Sequence, residues 1–305
     1  MPTVRDSFFN EIYNQIRSDE DIYVITADLG APSLDALRKD FPNRYISAGI
    51  AEQNLIEVSS GLAWAGKNVV AYGLNPFPIT RAFDQVRCLM AELKVPFTLC
   101  ALNAGLCSAE SGYSHMPIED FSMLRALSNV EIYNPSDEYI STQLAKQTSK
   151  LTLPRIIRFD KSISGYMYDY VDFDKGFAVQ GNDEYSKVGV VASGCYSKEL
   201  SPICSKLNIK LIDIFKFPFN ESSLINELAK CEQIVTVEEN VLKGGLGSSI
   251  LELLSDFNLN KRVKRFGLNF TNGYYGVFTN KQFIRKDQLI DIDSLERNLS
   301  NLLQD

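Results

Sequence analysis

Apolar and polar positions along this chain alternate between two periods. Short runs rich in β-branched and aromatic residues, at Ile22–Thr26, Asn68–Tyr72, Pro96–Leu102, Val130–Tyr133 and Arg155–Phe159, predict strands. The stretches between them carry helical spacing. From Thr80 to Leu93 the apolar residues Phe83, Val86, Met90 and Leu93 recur at intervals of three and four, predicting a helix with one buried face and with Arg81, Asp84 and Arg87 opposite. Ser136 ahead of Asp137 and Glu138 predicts a capped helix start, with acids near the positive end of the dipole. A second set of runs at Val188–Ala192, Lys210–Ile214, Gln233–Val237 and Arg262–Phe266 closes on an amphipathic helix near Ile292–Leu303. Strands alternating with helices predict an α/β fold of two consecutive domains with largely parallel sheets. Between them, Asp160–Tyr185 is rich in Asp, Gly and Tyr without a sustained period, as a connection would be. The expected boundaries are a first domain over 1–165, a linker over 166–185 and a second domain over 186–305.

Composition agrees with this division. The 305 residues, 45% hydrophobic and 23% charged, supply ample apolar surface and exceed the span of most single cores. A formal charge of −7 excludes nucleic acid and anionic membrane as partners, because polyanions would be repelled. No apolar run approaches the roughly 20 residues of a membrane span, and the N-terminus lacks the basic flank and apolar stretch of a signal peptide, so the expected location is cytoplasmic. Six cysteines without a Cys-x-x-Cys pair read as small buried hydrophobes. With His115 the single histidine, no metal site built by this chain is expected.

The run Tyr45-Ile46-Ser47-Ala48-Gly49-Ile50-Ala51-Glu52-Gln53-Asn54 ends a strand-like segment in glycine and opens an apolar helix with a carboxylate. Alone, Glu52 fits a dipole partner in a first helical turn as well as a functional acid. Its company is more specific: Thr26-Ala27-Asp28-Leu29, Thr80-Arg81-Ala82-Phe83-Asp84-Gln85-Val86-Arg87, Ala104-Gly105-Leu106, and Glu110 to His115. Ile118-Glu119-Asp120, Leu124-Arg125-Ala126, Asn134-Pro135-Ser136-Asp137 and Arg155-Ile156-Ile157-Arg158 follow, then Val237-Glu238-Glu239-Asn240 and Gly244-Gly245-Leu246-Gly247-Ser248. In this order the segments resemble the transketolases and deoxyxylulose-phosphate synthases over nearly the whole chain. The pyrimidine-binding domain comes first and the transketolase C-terminal domain second. Without the rest, the Gly-Gly-Leu-Gly run reads as a helix-start turn rather than a phosphate cradle.

The resemblance implies thiamine diphosphate as cofactor and catalytic roles for Glu52 and His115. The Glu52 carboxyl would hydrogen-bond N1' of the aminopyrimidine and favour the imino tautomer that takes up the thiazolium C2 proton. Asp28 and Arg81 are implied on the cofactor side, a solvated helix salt bridge being the alternative for Arg81. Phe77, in Asn75-Pro76-Phe77-Pro78, is the candidate stacking surface for the ring. His115 is implied to meet sugar hydroxyls and Arg158 the substrate phosphate, with pairing to Asp160 as the competing reading of Arg158. Ser111 stands where the family carries an aspartate and Asn103 where many members carry a histidine. Both keep hydrogen-bonding ability and drop a charge or a titrating group, which puts an ordinary pentose phosphate in doubt as substrate.

The family holds the diphosphate and its Mg²⁺ on another domain through a Gly-Asp-Gly segment, which this sequence lacks. The resemblance therefore implies a separate N-terminal transketolase-like partner carrying that site, in an assembly of two copies of each chain. Transfer of a ketol unit from a ketose phosphate to an aldose is the leading expectation. A β subunit of a 2-oxoacid dehydrogenase, and a non-catalytic subunit that kept the fold, are the alternatives.

Overall fold

The structure, a computed structural model, describes residues 3–18, 21–30, 32–161, 165–181, 184–270 and 279–304. In chain order the first half carries α1 (Val4–Arg17), β1 (Ile22–Thr26), α2 (Pro32–Asp40), β2 (Tyr45–Ser47), α3 (Glu52–Trp64), β3 (Asn68–Leu74), α4 (Phe83–Gln85) and β4 (Thr98–Leu102). Then come α5 (Asp120–Leu124), β5 (Glu131–Tyr133), α6 (Glu138–Lys146) and β6 (Arg155–Phe159). The second half carries β7 (Phe177–Gln180), β8 (Ser186–Ala192), α7 (Cys195–Leu207), β9 (Lys210–Ile214), β10 (Lys216–Phe217) and α8 (Glu221–Ala229). It ends with β11 (Cys231–Val241), α9 (Leu246–Asp256), β12 (Arg262–Leu268), α10 (Lys281–Asp287) and α11 (Ile292–Gln304). Two compact units result, Met1–Ala104 with Leu124–Asp169, and Gly105–Met123 with Tyr170–Asp305.

In the first unit the strands run in the order β5-β6-β4-β3-β1-β2, with every described pair parallel. The central strands β4 and β6 are buried at every position, as strands covered on both faces must be, whereas the edge strand β2 is not. Phe8 of α1 packs at a tilt on Phe159 and Phe9 edge-on to Tyr72, with ring centroids 5.5 and 5.0 Å apart. Arg155 at the start of β6 is fully buried, its Nε donating to Thr98 Oγ1 at 2.8 Å and a terminal nitrogen to the Leu144 carbonyl at 2.6 Å. Burial pushes its guanidinium down to about 10.

Three local features differ from the sequence pattern. The cap of α6 is Asp137, whose carboxylate accepts the Ile140 N–H at 2.9 Å; Ser136 lies one residue outside the helix. The second oxygen of Asp137 accepts the N–H groups of Met167 and Tyr168, so this buried acid also holds the end of the unit. After β3 the chain winds wide, in π-type turns over Phe77–Arg81 and Val86–Glu92 on either side of α4. The Leu93 N–H reaches back to Cys88 rather than to residue 89, and this wider turn rotates later side chains out of α register. Val86 and Met90 stay buried as the spacing predicts, but Leu93 turns out to 50% exposure.

The second unit builds a sheet of order β12-β11-β8-β9-β7, in which β7 is antiparallel to β9 and the other pairs are parallel. The segment 166–185, expected as linker, thus supplies a sheet strand between Gly176 and Gly181; residues 182–183 lie outside the described residues. The stretch 105–123 also folds with this unit, because Leu106, Ala109, Met116 and Ile118 are buried in its core beside Val190, Val235 and Leu299. Fully buried Lys210 pairs with Glu227 at 2.9 Å. Burial opposes the Glu227 charge, yet bonds from Lys230 and Lys210 hold its carboxyl below the usual range. Among the described residues no helix is long and apolar enough to cross a membrane.

Candidate active site

In the first unit the connection from β1 leads outward to β2, while the connection from β3 leads the other way to β4. The crevice at the carboxyl ends of β1 and β3 is therefore a topological switch point, where open α/β sheets bind ligands. Asp28 follows β1, Asn75 and Phe77 follow β3, Asn103 follows β4, and Arg158 lies within β6 one residue from its end. The sheet thus brings the expected site residues Asp28, Phe77, Asn103 and Arg158 to one edge, with Asn75 beside them. Asp28 and Asn103 have φ of +53° and +69°, the left-handed region that Asn and Asp tolerate best.

Glu52 opens α3 at the same edge. The buried positions of this helix are Glu52, Leu55, Ile56, Ser59, Ser60 and Ala63, so a carboxylate occupies the first place of the inward stripe. Its side chain is only 5% exposed. A buried carboxylate needs compensation, and two sources are present. No side chain caps α3, which leaves its N-terminal dipole acting on Glu52. Arg81 donates to Glu52 Oε2 at 2.8 Å, and the same guanidinium lies 4.3 Å above the centre of the half-buried Phe77 ring. Glu52, Arg81 and Phe77 form one contiguous set; Asp28 is exposed on the loop after β1. Arg158 is buried and donates to the Asn134 side-chain oxygen at 3.0 Å, a neutral acceptor.

Ser111 and His115 belong to the second unit. Ser111 is exposed at the end of a single 3₁₀ turn, and His115 Nδ1 lies 2.9 Å from Ser114 Oγ. Among the described residues no group of three or more His, Cys, Asp or Glu side chains is placed to hold a metal ion.

Residues 1–165 match the family model of the transketolase pyrimidine binding domain, and residues 184–282 match that of the transketolase C-terminal domain. The chain belongs to the transketolase family. That family is thiamine-diphosphate dependent. One of the subunits of an apulose-4-phosphate transketolase from Actinobacillus succinogenes is 27% identical over 288 residues, covering 92% of each chain. A putative transketolase C-terminal section from Methanocaldococcus jannaschii is 28% identical over 269 residues, 84% of this chain and 83% of its own. Among solved structures, a split gene transketolase in an inactive β4 tetramer superposes with a TM-score of 0.81 at 25% identity, covering 99% of this chain and 98% of its own.

The transketolase-type C-terminal unit holds charged groups that periodicity did not single out. Neighbouring strand residues face opposite ways, and each of the paired acids of β11 finds its own partners. Glu238 accepts the N–H groups of Leu246 and Gly247 at 2.7 and 2.8 Å, so the start of α9 is capped by the protein's own carboxylate. The Gly-Gly-Leu-Gly run is a helix start, as its sequence suggested. Glu239 takes Arg285 Nε at 2.6 Å and Lys281 at 2.9 Å, and Arg285 also donates to Glu199 at 2.6 Å and covers the Tyr196 ring at 4.4 Å. Two successive acids at the end of an apolar strand were the one visible sign of this network.

Proposed function

We propose that this chain is one subunit of a split transketolase that uses thiamine diphosphate to move a two-carbon ketol unit from a ketose phosphate to an aldose acceptor. The observation that carries this reading is Glu52, a buried carboxylate at the switch point of the sheet in a transketolase-family chain. The residues present fit the pyrimidine half of the cofactor: a carboxylate sheltered from water, with an aromatic ring after the adjacent strand. When bound, thiamine diphosphate supplies the carbon nucleophile and the electron sink.

Glu52 would hold the proton at the ring nitrogen through a hydrogen bond that burial strengthens. Arg81 engages Oε2, so Oε1 would be the atom offered to the ring. Phe77 offers the stacking face. Asp28, on the loop after β1, would line the cofactor edge. Ser111 and His115 exchange hydrogen bonds with donor hydroxyls, Asn103 supplies a neutral amide to the substrate, and Arg158 presents a planar cation to its phosphate.

The diphosphate and Mg²⁺ fall to an N-terminal-type partner chain in an α2β2 assembly. Support comes from relatives of nearly this chain's length whose names describe one subunit of a transketolase, a C-terminal section and a split gene product. The inactive β4 tetramer of one of them suggests that this chain is likewise inactive by itself. Calorimetry with thiamine diphosphate and Mg²⁺ tests the reading, on this chain alone and after co-expression with a Gly-Asp-Gly-bearing candidate. Binding only in the mixture, followed by ketose turnover without lipoamide, supports a split transketolase over a 2-oxoacid dehydrogenase subunit. Absence of binding in both preparations sinks the assignment for that pair.

A further inference from the structure

Glu239 has no part in the chemistry above, yet its carboxylate grips the root of the loop that carries Ser111 and His115. Oε2 accepts the Leu106 N–H at 3.1 Å, while Oε1 is held by Arg285 and Lys281. Gly105 makes this approach possible: its φ is +62°, and a Cβ there would fall 2.6 Å from Glu239 Oε2 and 2.8 Å from Glu239 Cβ. A backbone amide given to a fixed charge makes a stronger bond than one given to a neutral acceptor. Burial would push the Glu239 carboxyl up, but Lys281, Arg285 and the Leu106 N–H overcome it and hold it at about 2.

The loop is tied along the same edge at two further points. The Val241 N–H donates to the Ile118 carbonyl at 2.9 Å, and Ser122 Oγ donates to the Lys243 carbonyl at 3.0 Å. Between these ties Leu106, Ala109 and Met116 point into the core, whereas Glu110, Ser111 and Ser114 are exposed. The outward residues are thus placed by inward anchors. Glu239 is the anchor nearest the loop's start, and Lys281 and Arg285 keep it charged and oriented.

We infer that Glu239 is a positioning residue for the donor sugar, acting through the Leu106 amide to set where Ser111 and His115 stand. This rests on the reading of those two residues as sugar-binding. Loosening the anchor weakens recognition of hydroxyls beyond the transferred unit and leaves the chemical step unchanged. A donor without those hydroxyls does not register the change.

Two variants attack the contact from its two sides: Glu239→Gln removes the charge, and Gly105→Ala forces the loop away while the ion network stays. Hydrogen–deuterium exchange on the full chain reads the anchor without the partner. Steady-state kinetics of the partnered enzyme then compare the best donor from a panel of ketose phosphates with hydroxypyruvate, which carries a ketol unit but no further sugar hydroxyls. Both variants should speed exchange across 105–116 and leave β8 unchanged. They should also raise KM for the sugar phosphate about tenfold, with kcat within about threefold and the hydroxypyruvate KM unaltered. Unchanged exchange at Leu106 overturns the anchor. Equal KM changes for both donors, or none for either, overturn the positioning role. A wild-type assembly that consumes hydroxypyruvate and no ketose phosphate of the panel overturns the reading of Ser111 and His115 as sugar-binding, one that consumes none of these donors overturns the ketol-transfer reading, and exchange decides the anchor in either case.

Discussion

Arg81 donates to Glu52 Oε2 at 2.8 Å, a half-exposed guanidinium covering a carboxylate that is itself almost fully buried. The two arrive from different elements. Glu52 is fixed by the inward face of α3, and Arg81 ends the wide turn that follows β3. The asymmetry in exposure lets water reach Arg81 but hardly Glu52.

Glu52→Gln in the partnered enzyme should lower turnover on the order of 10²–10⁴-fold, the usual worth of a positioned proton-handling group. The fold should barely register the change, because Gln keeps the shape of Glu52 and the half-exposed Arg81 left behind is not a stranded buried charge. Turnover measurements alongside thermal melts check both halves. Turnover within tenfold of wild type removes Glu52 from this role.

Glu239 gives the second unit an acid-sensitive window. Its carboxyl is held at about 2 against an ordinary 4.5. A folded value below the unfolded one means the stabilisation is complete above 4.5 and drains away as pH falls towards 2. Denaturant midpoints measured across that range should fall more steeply for wild type than for Glu239→Gln. Parallel slopes would contradict the buried network.

Lys210 and Glu227 form a pair whose lysine is fully buried. Glu227→Gln strands that ammonium and should cost about 3–5 kcal/mol, while Lys210→Met combined with Glu227→Leu should recover most of the loss. Urea unfolding of wild type and the two variants checks this. A double variant no more stable than the single one would show that the apolar pair cannot pack there.

Gly245 lies where a Cβ would overlap Glu238 Oε2, the oxygen that caps α9 through Leu246. Gly245→Ala should expel that carboxylate and destabilise by about 0.5–2 kcal/mol, the range for a lost helix cap. A melting temperature equal to wild type would mean that the cap re-forms elsewhere.

Much of this molecule was legible from local spacing. Ile22–Thr26, Arg155–Phe159 and Lys210–Ile214 form strands over the predicted residues, since continuous β-branched runs suit sheets covered on both faces. Glu52 stood out because it begins an apolar helix and keeps the company of a recognisable set of segments. Local spacing also carried the second unit's α11 and the burial of Val86 and Met90.

What tertiary structure decided depends on partners distant in the chain. Phe177–Gln180 is a strand because β9 presents an open edge to it, and residues 105–123 join the second unit because its core accepts Leu106, Met116 and Ile118. Asp137 rather than Ser136 caps α6, in a position where its other oxygen also meets Met167 and Tyr168. Glu239 acquires its grip on Leu106 only when Lys281 and Arg285 come to its side. Periodicity states which face of an element is buried. It cannot state which distant group will meet a charge on that face, because that contact exists only after the strands have chosen their neighbours.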